Sequence, residues 1–231
     1  MKNLSQVPDC DLPPVKEDFR ATFQWRIFRI MAEFVEGFSF VADFKKAVTV
    51  FGSTMYKEGD AVYEKAQKLG GLLAKEGFTV VTGGGPGIME AVNKGAYEAG
   101  GESVGINIQL DGAERANSFL KKSIGFHYFF VRKVMLSYSA YGYVFFPGGF
   151  GTLDEFFEIV TLVQTRRLGR KVLVIAVGKD YWKPFFDWIE KDLYGKHKTI
   201  KKEALDIFQL VDTSEEALKI IKDNYKNNHH K

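Results

Sequence analysis

The sequence predicts a doubly wound α/β domain with an N-terminal helical arm. Short runs rich in Val, Ile and Phe alternate along the chain with longer stretches of helical periodicity. The runs are continuously apolar, which is typical of strands buried on both faces of a parallel sheet. Two of them end in glycine clusters that lead into helices, as happens at the ligand-binding edge of such sheets. We therefore expect a single Rossmann-like domain whose parallel sheet carries helices on both faces.

Residues 1–44 are expected to form an extension before this domain. Prolines at positions 8, 13 and 14 predict an extended lead-in. Between residues 19 and 44 apolar side chains recur at helical spacing, so one helix is expected there. A face this wide packs on the core of its own chain or on another subunit, and the pattern leaves both open. The apolar side chains form two ridges, Phe23-Ile27-Ile30-Phe34 and Phe28-Met31-Val35-Phe38.

The elements of the domain, which is expected to span residues 45–226, follow from the same periodicities. Strands are predicted at 47–51, 78–82, 103–108, 143–146, 172–177 and 207–211. Helices are predicted at about 59–76, 88–99, 130–140, 152–167, 182–192 and 214–224, the first of which stops at Gly77. Residues 227–231 read as a polar tail, and the chain contains no internal repeat or low-complexity segment.

Composition excludes several classes of protein. With 45% apolar and 26% charged residues in 231, a folded core is expected and disorder is not. A formal net charge of +3 is too small to indicate a nucleic-acid partner. The single Cys10 precludes an intrachain disulfide, and without a secretory leader pattern it favours a cytoplasmic location. Charged residues interrupt the most apolar stretch, at 27–44, so no membrane span is expected; the four histidines lack the spacing of a metal site.

Two glycine loops carry the strongest functional signal. The first covers residues 82–90, T-G-G-G-P-G-I-M-E, and the second covers residues 147–155, P-G-G-F-G-T-L-D-E. A strand that ends in glycines and turns into a helix exposes backbone N–H groups and the positive end of the helix dipole, which together bind anions. Glycines also allow tight turns where no ligand binds. The presence of two such loops makes this purely structural interpretation weaker than it would be for one loop. Neither G-x-G-x-x-G nor G-x-x-x-x-G-K-[ST] occurs, which leaves a mononucleotide or a sugar phosphate as the expected ligand.

Polar side chains next to these loops are candidates for chemistry. Thr152 can donate its hydroxyl hydrogen to a phosphate or cap the helix that follows. Glu155, three residues later, either complements the helix dipole or faces a ribose or a water molecule. Arg132 and Lys133 stand in an apolar stretch and must reach solvent or a partner, because an unpaired buried charge is costly. Arg132 could point into the cleft.

At these residues the chain resembles a known family. Segment 147–155 is similar to the PGGxGTxxE signature of the LONELY GUY family of nucleoside 5′-monophosphate phosphoribohydrolases, whose members are often labelled lysine decarboxylases. Residues 83–90 resemble the first glycine loop of that family, and Arg132-Lys133 its arginine–lysine pair. The similarity covers about residues 45–177, and the long N-terminal arm resembles the longer-chain branch of the family.

The resemblance implies hydrolysis of the N-glycosidic bond of AMP or of a cytokinin riboside 5′-monophosphate, which releases a free base and ribose 5-phosphate. It makes Arg132 and Glu155 the catalytic pair. Glu155 would stabilise the oxocarbenium-like ribose and orient the attacking water, and Arg132, which is essentially never neutral, would act electrostatically. No cofactor is expected. The resemblance also implies that the protein is a homodimer or a larger homo-oligomer. The expected substrate-binding residues are Ser53, Gly84, Gly85, Met89, Lys133, Gly148, Gly149, Gly151 and Thr152.

Two other interpretations stay open. The same loops could hold a nucleotide or a phosphorylated cofactor, such as the molybdenum cofactor, without cleaving it. Alternatively, the chain is an assembly protein that depends on its arm and not on its glycines. Glu90 departs from an ideal phosphate loop because its carboxylate would repel a phosphate or contact the sugar instead. The lysine decarboxylase label is not supported, because no lysine is set apart as a ligand for pyridoxal phosphate.

Overall fold

The computed structural model describes residues 22–109, 116–168 and 172–229. The prolines and Cys10 of the lead-in, and the end of the polar tail, lie outside these ranges. The helices are α1 (Phe23–Val41), α2 (Ala61–Lys75), α3 (Ile88–Glu98), α4 (Phe129–Tyr138), α5 (Phe150–Gln164), α6 (Lys179–Trp188) and α7 (Ser214–His229). The strands are β1 (Ala47–Phe51), β2 (Thr79–Thr82), β3 (Ser103–Ile108), β4 (Lys122–Phe126), β5 (Gly142–Phe145), β6 (Leu173–Val177) and β7 (Phe208–Val211). A π-helix, Ile189–Lys196, and a 3₁₀ helix, Lys202–Asp206, lie between α6 and β7.

The described strands form one parallel sheet in the order β4-β3-β2-β1-β5-β6-β7. The predicted doubly wound parallel sheet is therefore confirmed. The chain moves outward from β1 to β4 and then returns to add β5 on the other side of β1. The strand order thus reverses between β1 and β5, and a crevice for ligands forms beyond the carboxyl ends of the strands at such a reversal.

Strand β4 was not predicted from the sequence. It pairs with β3 at the edge of the sheet. Four of its five residues are exposed or partly exposed, and only Phe126 is buried. The solvated edge lets the segment K-S-I-G-F form a strand without the apolar run by which the other strands are recognised.

Helices cover both faces of the sheet. Helices α2, α3 and α7 pack on one face, and their Leu69, Val92 and Ile221 side chains join a single buried cluster. Helices α4, α5 and α6 pack on the other face, with Phe156 and Trp182 in its core. Within the described part of the chain, no helix combines the length and the apolar character needed to cross a bilayer.

Helix α1 packs the second half of one ridge on the domain, whereas Phe23 and Ile27 of that ridge and the whole of the other ridge are exposed. Ile30 and Phe34 are partly buried against the cluster beneath α4 and α5. Gly37 approaches Met135 of α4 so closely that a β-carbon would lie 2.6 Å from the methionine sulfur. The first alternative for this arm, packing on its own core, therefore accounts for only part of its apolar face. Between 44% and 69% of each side chain in the outer ridge is exposed: Phe28, Met31, Val35 and Phe38.

Candidate active site

A cavity of about 430 Å³ lies beyond the carboxyl ends of β1 and β5, where the strand order reverses. Its volume falls within the range of small-molecule sites. Bare backbone of both glycine loops reaches the wall, at Gly83, Gly149 and Gly151. The polar side chains of the wall are Ser53, Thr54, Arg132, Thr152 and Glu155, and the apolar ones are Phe51, Met55, Met89, Ile108, Phe129 and Leu136.

Ser53, two residues after β1, ties the two glycine loops together. Its N–H donates to the carbonyl oxygen of Pro147 (3.0 Å), and its own carbonyl accepts from the N–H of Ile88 at the start of α3 (2.9 Å). Gly87, at φ +74°, permits this approach, because a β-carbon there would lie 2.4 Å from the Ser53 carbonyl oxygen. The Ser53 hydroxyl accepts a hydrogen bond from the N–H of Met55 (3.1 Å). The end of β1 thus fixes both loops in one arrangement.

The second glycine loop becomes the amino terminus of α5. The N–H groups of residues 150–152 have no intrahelical acceptor because they lie in the first turn of the helix. Gly149, which precedes the helix, provides no side-chain cap for them. These groups and the helix dipole together can bind an anion. The carbonyl of Gly148 accepts a hydrogen bond from the hydroxyl of Tyr181 (2.5 Å), and a β-carbon on Gly148 would lie 2.1 Å from the hydroxyl oxygen of Thr152. Gly148 therefore supports the loop from behind the cavity wall.

Glu155 is the buried acid of the cavity. It lines the wall although only 7% of it is exposed, and its Oε2 atom accepts no hydrogen bond from the described residues. Burial and, next to it, the carboxylate of Glu158 raise the pKa of Glu155, Lys133 and Arg132 act in the opposite direction, and the net pKa is about 8. A buried carboxyl group at a cavity wall whose pKa is strongly raised is a candidate for a functional residue.

Arg132 reaches the cavity from α4. Its Nε donates to the carbonyl oxygen of Ile106 (2.8 Å), and one Nη donates to that of Gly83 (3.3 Å). A β-carbon on Gly83 would lie 2.3 Å from this Nη atom, so the absent side chain leaves the room that the guanidinium occupies. A permanent positive charge is thereby fixed at the wall, against the first glycine loop.

Lys133, in contrast, does not line the cavity. Its Nζ lies 2.7 Å from Oδ2 of Asp154 and 3.3 Å from Oε2 of Glu158, both on α5. The sequence placed Arg132 and Lys133 together at the site, whereas the structure directs them to different partners. Substrate binding by Lys133 stays a prediction that none of these contacts supports.

The first glycine loop is held from its far side by Asn117. The N–H and the side-chain amide of Asn117 donate to the carbonyl of Gly84 (2.8 and 3.1 Å), and the amide also donates to that of Gly85 (3.1 Å). The N–H of Gly84 donates to the hydroxyl of Thr82 (2.9 Å). Gly84 and Gly85 do not line the cavity, which Gly83 does. Their predicted contact with substrate therefore remains a prediction.

Sequence reasoning missed Asn117 and Tyr181, two of the residues that hold the glycine loops in place by hydrogen bonds to their carbonyl groups. Asn117 lies in a segment with no helical or strand pattern, and no local signal marks it. Tyr181 stands shortly after β6, so the rule that residues following parallel strands gather at one edge could have found it. Glu90, which was expected either to repel a phosphate or to contact the sugar, lies outside the cavity wall and accepts a hydrogen bond from the hydroxyl of Tyr63 (3.3 Å). Among the described residues, no three His, Cys, Asp or Glu side chains are grouped so that they could hold a metal ion.

Comparison with known proteins identifies the family of this chain. The model of the family described as "possible lysine decarboxylase", the label often given to LONELY GUY proteins, matches residues 89–221. A cytokinin riboside 5′-monophosphate phosphoribohydrolase from Rhodococcoides fascians is 30% identical over 148 residues, which are 63% of this chain and 74% of that protein. The chain belongs to the LONELY GUY family. A probable cytokinin riboside 5′-monophosphate phosphoribohydrolase of rice, LOGL5, is 26% identical over 160 residues, and the match spans 65% of this chain and 61% of the rice protein.

Solved structures share the fold of this LONELY GUY protein. The protein TM1055 matches with a TM-score of 0.59 at 27% identity, over 77% of this chain and 99% of that chain. The molybdenum cofactor binding protein of Rippkaea orientalis matches with a TM-score of 0.60 at 20% identity, over 78% of this chain and 96% of that one. The molybdenum cofactor carrier protein of Chlamydomonas reinhardtii matches at 0.56 and 20% identity, with coverage of 78% and 98%. At 20% identity these last two show a common fold and no more.

Proposed function

We propose that this protein hydrolyses the N-glycosidic bond of a nucleoside 5′-monophosphate to a free base and ribose 5-phosphate. The observation that carries the proposal is the buried carboxyl group of Glu155, whose Oε2 accepts no hydrogen bond from the described residues and which lines the same cavity as the first turn of α5. A phosphate anchored on that turn leaves the sugar within reach of a residue further along the helix. The phosphoribohydrolase names of two relatives support the same reaction.

The cavity wall suggests how such a nucleotide is held. The phosphate binds the N–H groups of residues 150–152 and the hydroxyl of Thr152, where the helix dipole favours negative charge. The apolar part of the wall, which includes Met89 and Phe129, suits the flat face of a base. The ribose then lies between these regions, beside Glu155. A carboxyl group in this position faces the sugar and avoids the repulsion it would meet next to the phosphate.

The chemistry follows from this placement. As the bond between ribose C1′ and the base nitrogen breaks, its electrons leave with the base and positive charge builds on the ribose. The ionised Glu155 stabilises that charge and accepts a proton from the water that attacks C1′. Arg132, anchored on two backbone carbonyls, remains positive and stabilises the departing base or the phosphate electrostatically. Glu155 then releases the proton it took from the water, directly or through solvent, to the base nitrogen that received the bonding electrons. This step returns Glu155 to its ionised form and leaves the neutral base and ribose 5-phosphate as products.

The outer ridge of α1 supports a further part of the proposal, that the protein is a homodimer or a larger homo-oligomer. Phe28, Met31, Val35 and Phe38 form a continuous apolar strip, and the ring of Phe38 meets the ring of Tyr138 from α4 at 5.9 Å. Exposed apolar strips of this kind are typical of protein interfaces. The same strip would explain why the arm carries more apolar surface than its own domain covers.

The test is turnover. Purified protein is incubated with AMP and a panel of other nucleoside 5′-monophosphates, and free base is quantified by chromatography. We expect release of base, and a rate at least about 100-fold lower for Glu155→Gln, which keeps the shape of the side chain but cannot carry the charge. Glu90→Gln is the matched control, because Glu90 is another partly buried glutamate near a glycine loop but outside the cavity.

The same experiment separates the alternatives. A protein that holds a nucleotide or phosphorylated cofactor without cleaving it would show saturable binding and no product. Base release from the Glu155→Gln variant at the wild-type rate would contradict the proposed role of Glu155. An assembly protein with an idle pocket would neither bind nor cleave any member of the panel.

A further inference from the structure

Arg132 and Lys133 are adjacent on α4, yet their charged groups contact different parts of the protein. Side chains of consecutive helical residues leave the axis about 100° apart. The Arg132 guanidinium lies on the carbonyls of Ile106 and Gly83 at the cavity wall. The Lys133 ammonium instead crosses to α5, where it pairs with Asp154. The arginine faces the ligand space, and the lysine faces the helix that carries the catalytic carboxylate.

The two acidic partners of Lys133 bracket Glu155 in the sequence. Asp154 immediately precedes Glu155, and Glu158 follows it by three residues, which places Glu158 next to Glu155 on the helix surface. The Lys133 and Glu158 side chains are only 18% and 25% exposed, and their charged atoms lie 3.3 Å apart. Glu155 and Glu158 are thus largely desolvated, whereas the Asp154 side chain is 53% exposed, and Lys133 binds the two carboxylates on either side of the one that lines the cavity.

The charged groups that act on Glu155 come from two helices. Glu158 and Asp154 of α5 raise its pKa, and Lys133 and Arg132 of α4 lower it. Tyr143 of β5 interacts with Glu158 and donates its hydroxyl hydrogen to the carbonyl of Ser137. Burial lowers the pKa of Lys133, but the hydrogen bond to Asp154 and the charge of Glu158 more than offset this, so its pKa lies above the ordinary value. Lys133 therefore stays positive throughout the range in which Glu155 titrates.

We propose that Lys133 is a positioning residue for Glu155, which it serves by binding Asp154 and Glu158, and that it does not contact the substrate. The inference rests on the proposed function for the identity of Glu155 as the catalytic carboxylate. It replaces the role in substrate binding that the family resemblance implies for this lysine. In physical terms, the positive charge of Lys133 on α4 offsets the negative charge of Glu158, so that Glu155 can still ionise in a buried site.

The test measures the titration of Glu155 directly. Carboxyl carbons of glutamate are followed by ¹³C NMR from pH 4 to 10, with Glu155→Gln used to assign the resonance. We expect Lys133→Met to raise the midpoint of Glu155 by about one pH unit and Glu158→Gln to lower it. Lys133→Arg, which retains the charge, should restore the midpoint to within a few tenths of a unit. Lys68→Met is the matched control, because Lys68 pairs with Glu215 away from this cluster.

Kinetics with AMP provide the second arm. The rising limb of kcat/KM against pH should move in parallel with the NMR midpoint. Well above that midpoint, Lys133→Met should keep KM within about twofold, because no substrate contact is lost. An unchanged midpoint together with a KM at least tenfold higher would overturn the proposal and make Lys133 a substrate ligand.

The two arms also separate this inference from the proposed function. If no nucleotide is cleaved, the proposed function fails, while the NMR titration still decides whether Lys133 controls Glu155. If Lys133→Met does not fold, Glu158→Gln tests the same pair from the other side. A Glu155 midpoint unaffected by Glu158→Gln would then overturn the inference.

Discussion

At Glu155 the fold places a carboxyl group where ionisation is unfavourable. The residue is 7% exposed, and its neighbours on α5 include the carboxylate of Glu158. The folded chain therefore favours the protonated form, and its pKa rises from 4.5 to about 8. An unfolded chain would release that proton near pH 4.5. Stability and reactivity consequently conflict at this one residue, since the ionised form that stabilises a cationic ribose is the form that the folded protein disfavours.

A stability measurement checks this conflict. Because the folded-state pKa is raised, the contribution of Glu155 to stability is fully present below its unfolded value of 4.5 and is lost as pH rises through about 8. Glu155→Gln should therefore exceed wild type in free energy of unfolding by about 5 kcal/mol at pH 8.5, because each unit of the pKa difference between 4.5 and about 8 contributes about 1.4 kcal/mol, and it should match wild type at pH 4. Urea denaturation at both pH values measures the difference, and Glu203→Gln on the exposed surface is the control. A gain of equal size at both pH values would contradict the raised pKa.

At the scale of elements, the two glycine loops were predictable but their orientation was not. Glycines between a strand and a helix mark both loops in the sequence, and both loops border the cavity. Which glycine faces the ligand depends on partners that are remote in sequence. Asn117 binds the first loop at Gly84, 33 residues away, and Tyr181 binds the second at Gly148, also 33 residues away. No local pattern encodes contacts of this kind, because only the assembled sheet brings these segments together.

Two alanine substitutions in the second loop separate anion binding from loop shape. A β-carbon on Gly151 meets nothing within 4 Å, so Gly151→Ala should leave the melting temperature unchanged or slightly higher, since alanine favours helix. If the phosphate binds the first turn of α5, the added methyl group should raise KM for AMP at least about tenfold. Gly148→Ala should instead lower the melting temperature by several degrees, because its β-carbon would lie 2.1 Å from the Thr152 hydroxyl oxygen. An unchanged KM in Gly151→Ala would place the phosphate elsewhere.

For the whole molecule, the sequence predicted the parallel sheet and helices on both faces because apolar runs and helical periodicity are local signals. It did not reveal β4, whose solvated edge position requires no apolar run. The strand order is likewise a property of the assembled chain, and it is the reversal between β1 and β5 that creates the cavity. Residues such as Ser53 and Arg132 therefore acquire a common site only through topology, although each stood next to a recognisable signal in the sequence.

For the N-terminal arm, the sequence shows an apolar pattern but does not identify the surface that covers it. Val35 is 69% exposed in the centre of the outer ridge, so Val35→Glu should cost the isolated protomer little. In a self-association interface the same change would bury an unpaired charge, at a cost of several kcal/mol. We expect light scattering after size exclusion to give a multiple of the 26.2 kDa protomer mass for wild type, and the protomer mass for Val35→Glu. Tyr194→Glu, at an exposed aromatic residue of the π-helix, should leave the multiple intact. A wild type that already elutes as a protomer, or a Val35→Glu protein that stays assembled, would rule out this ridge as the subunit interface.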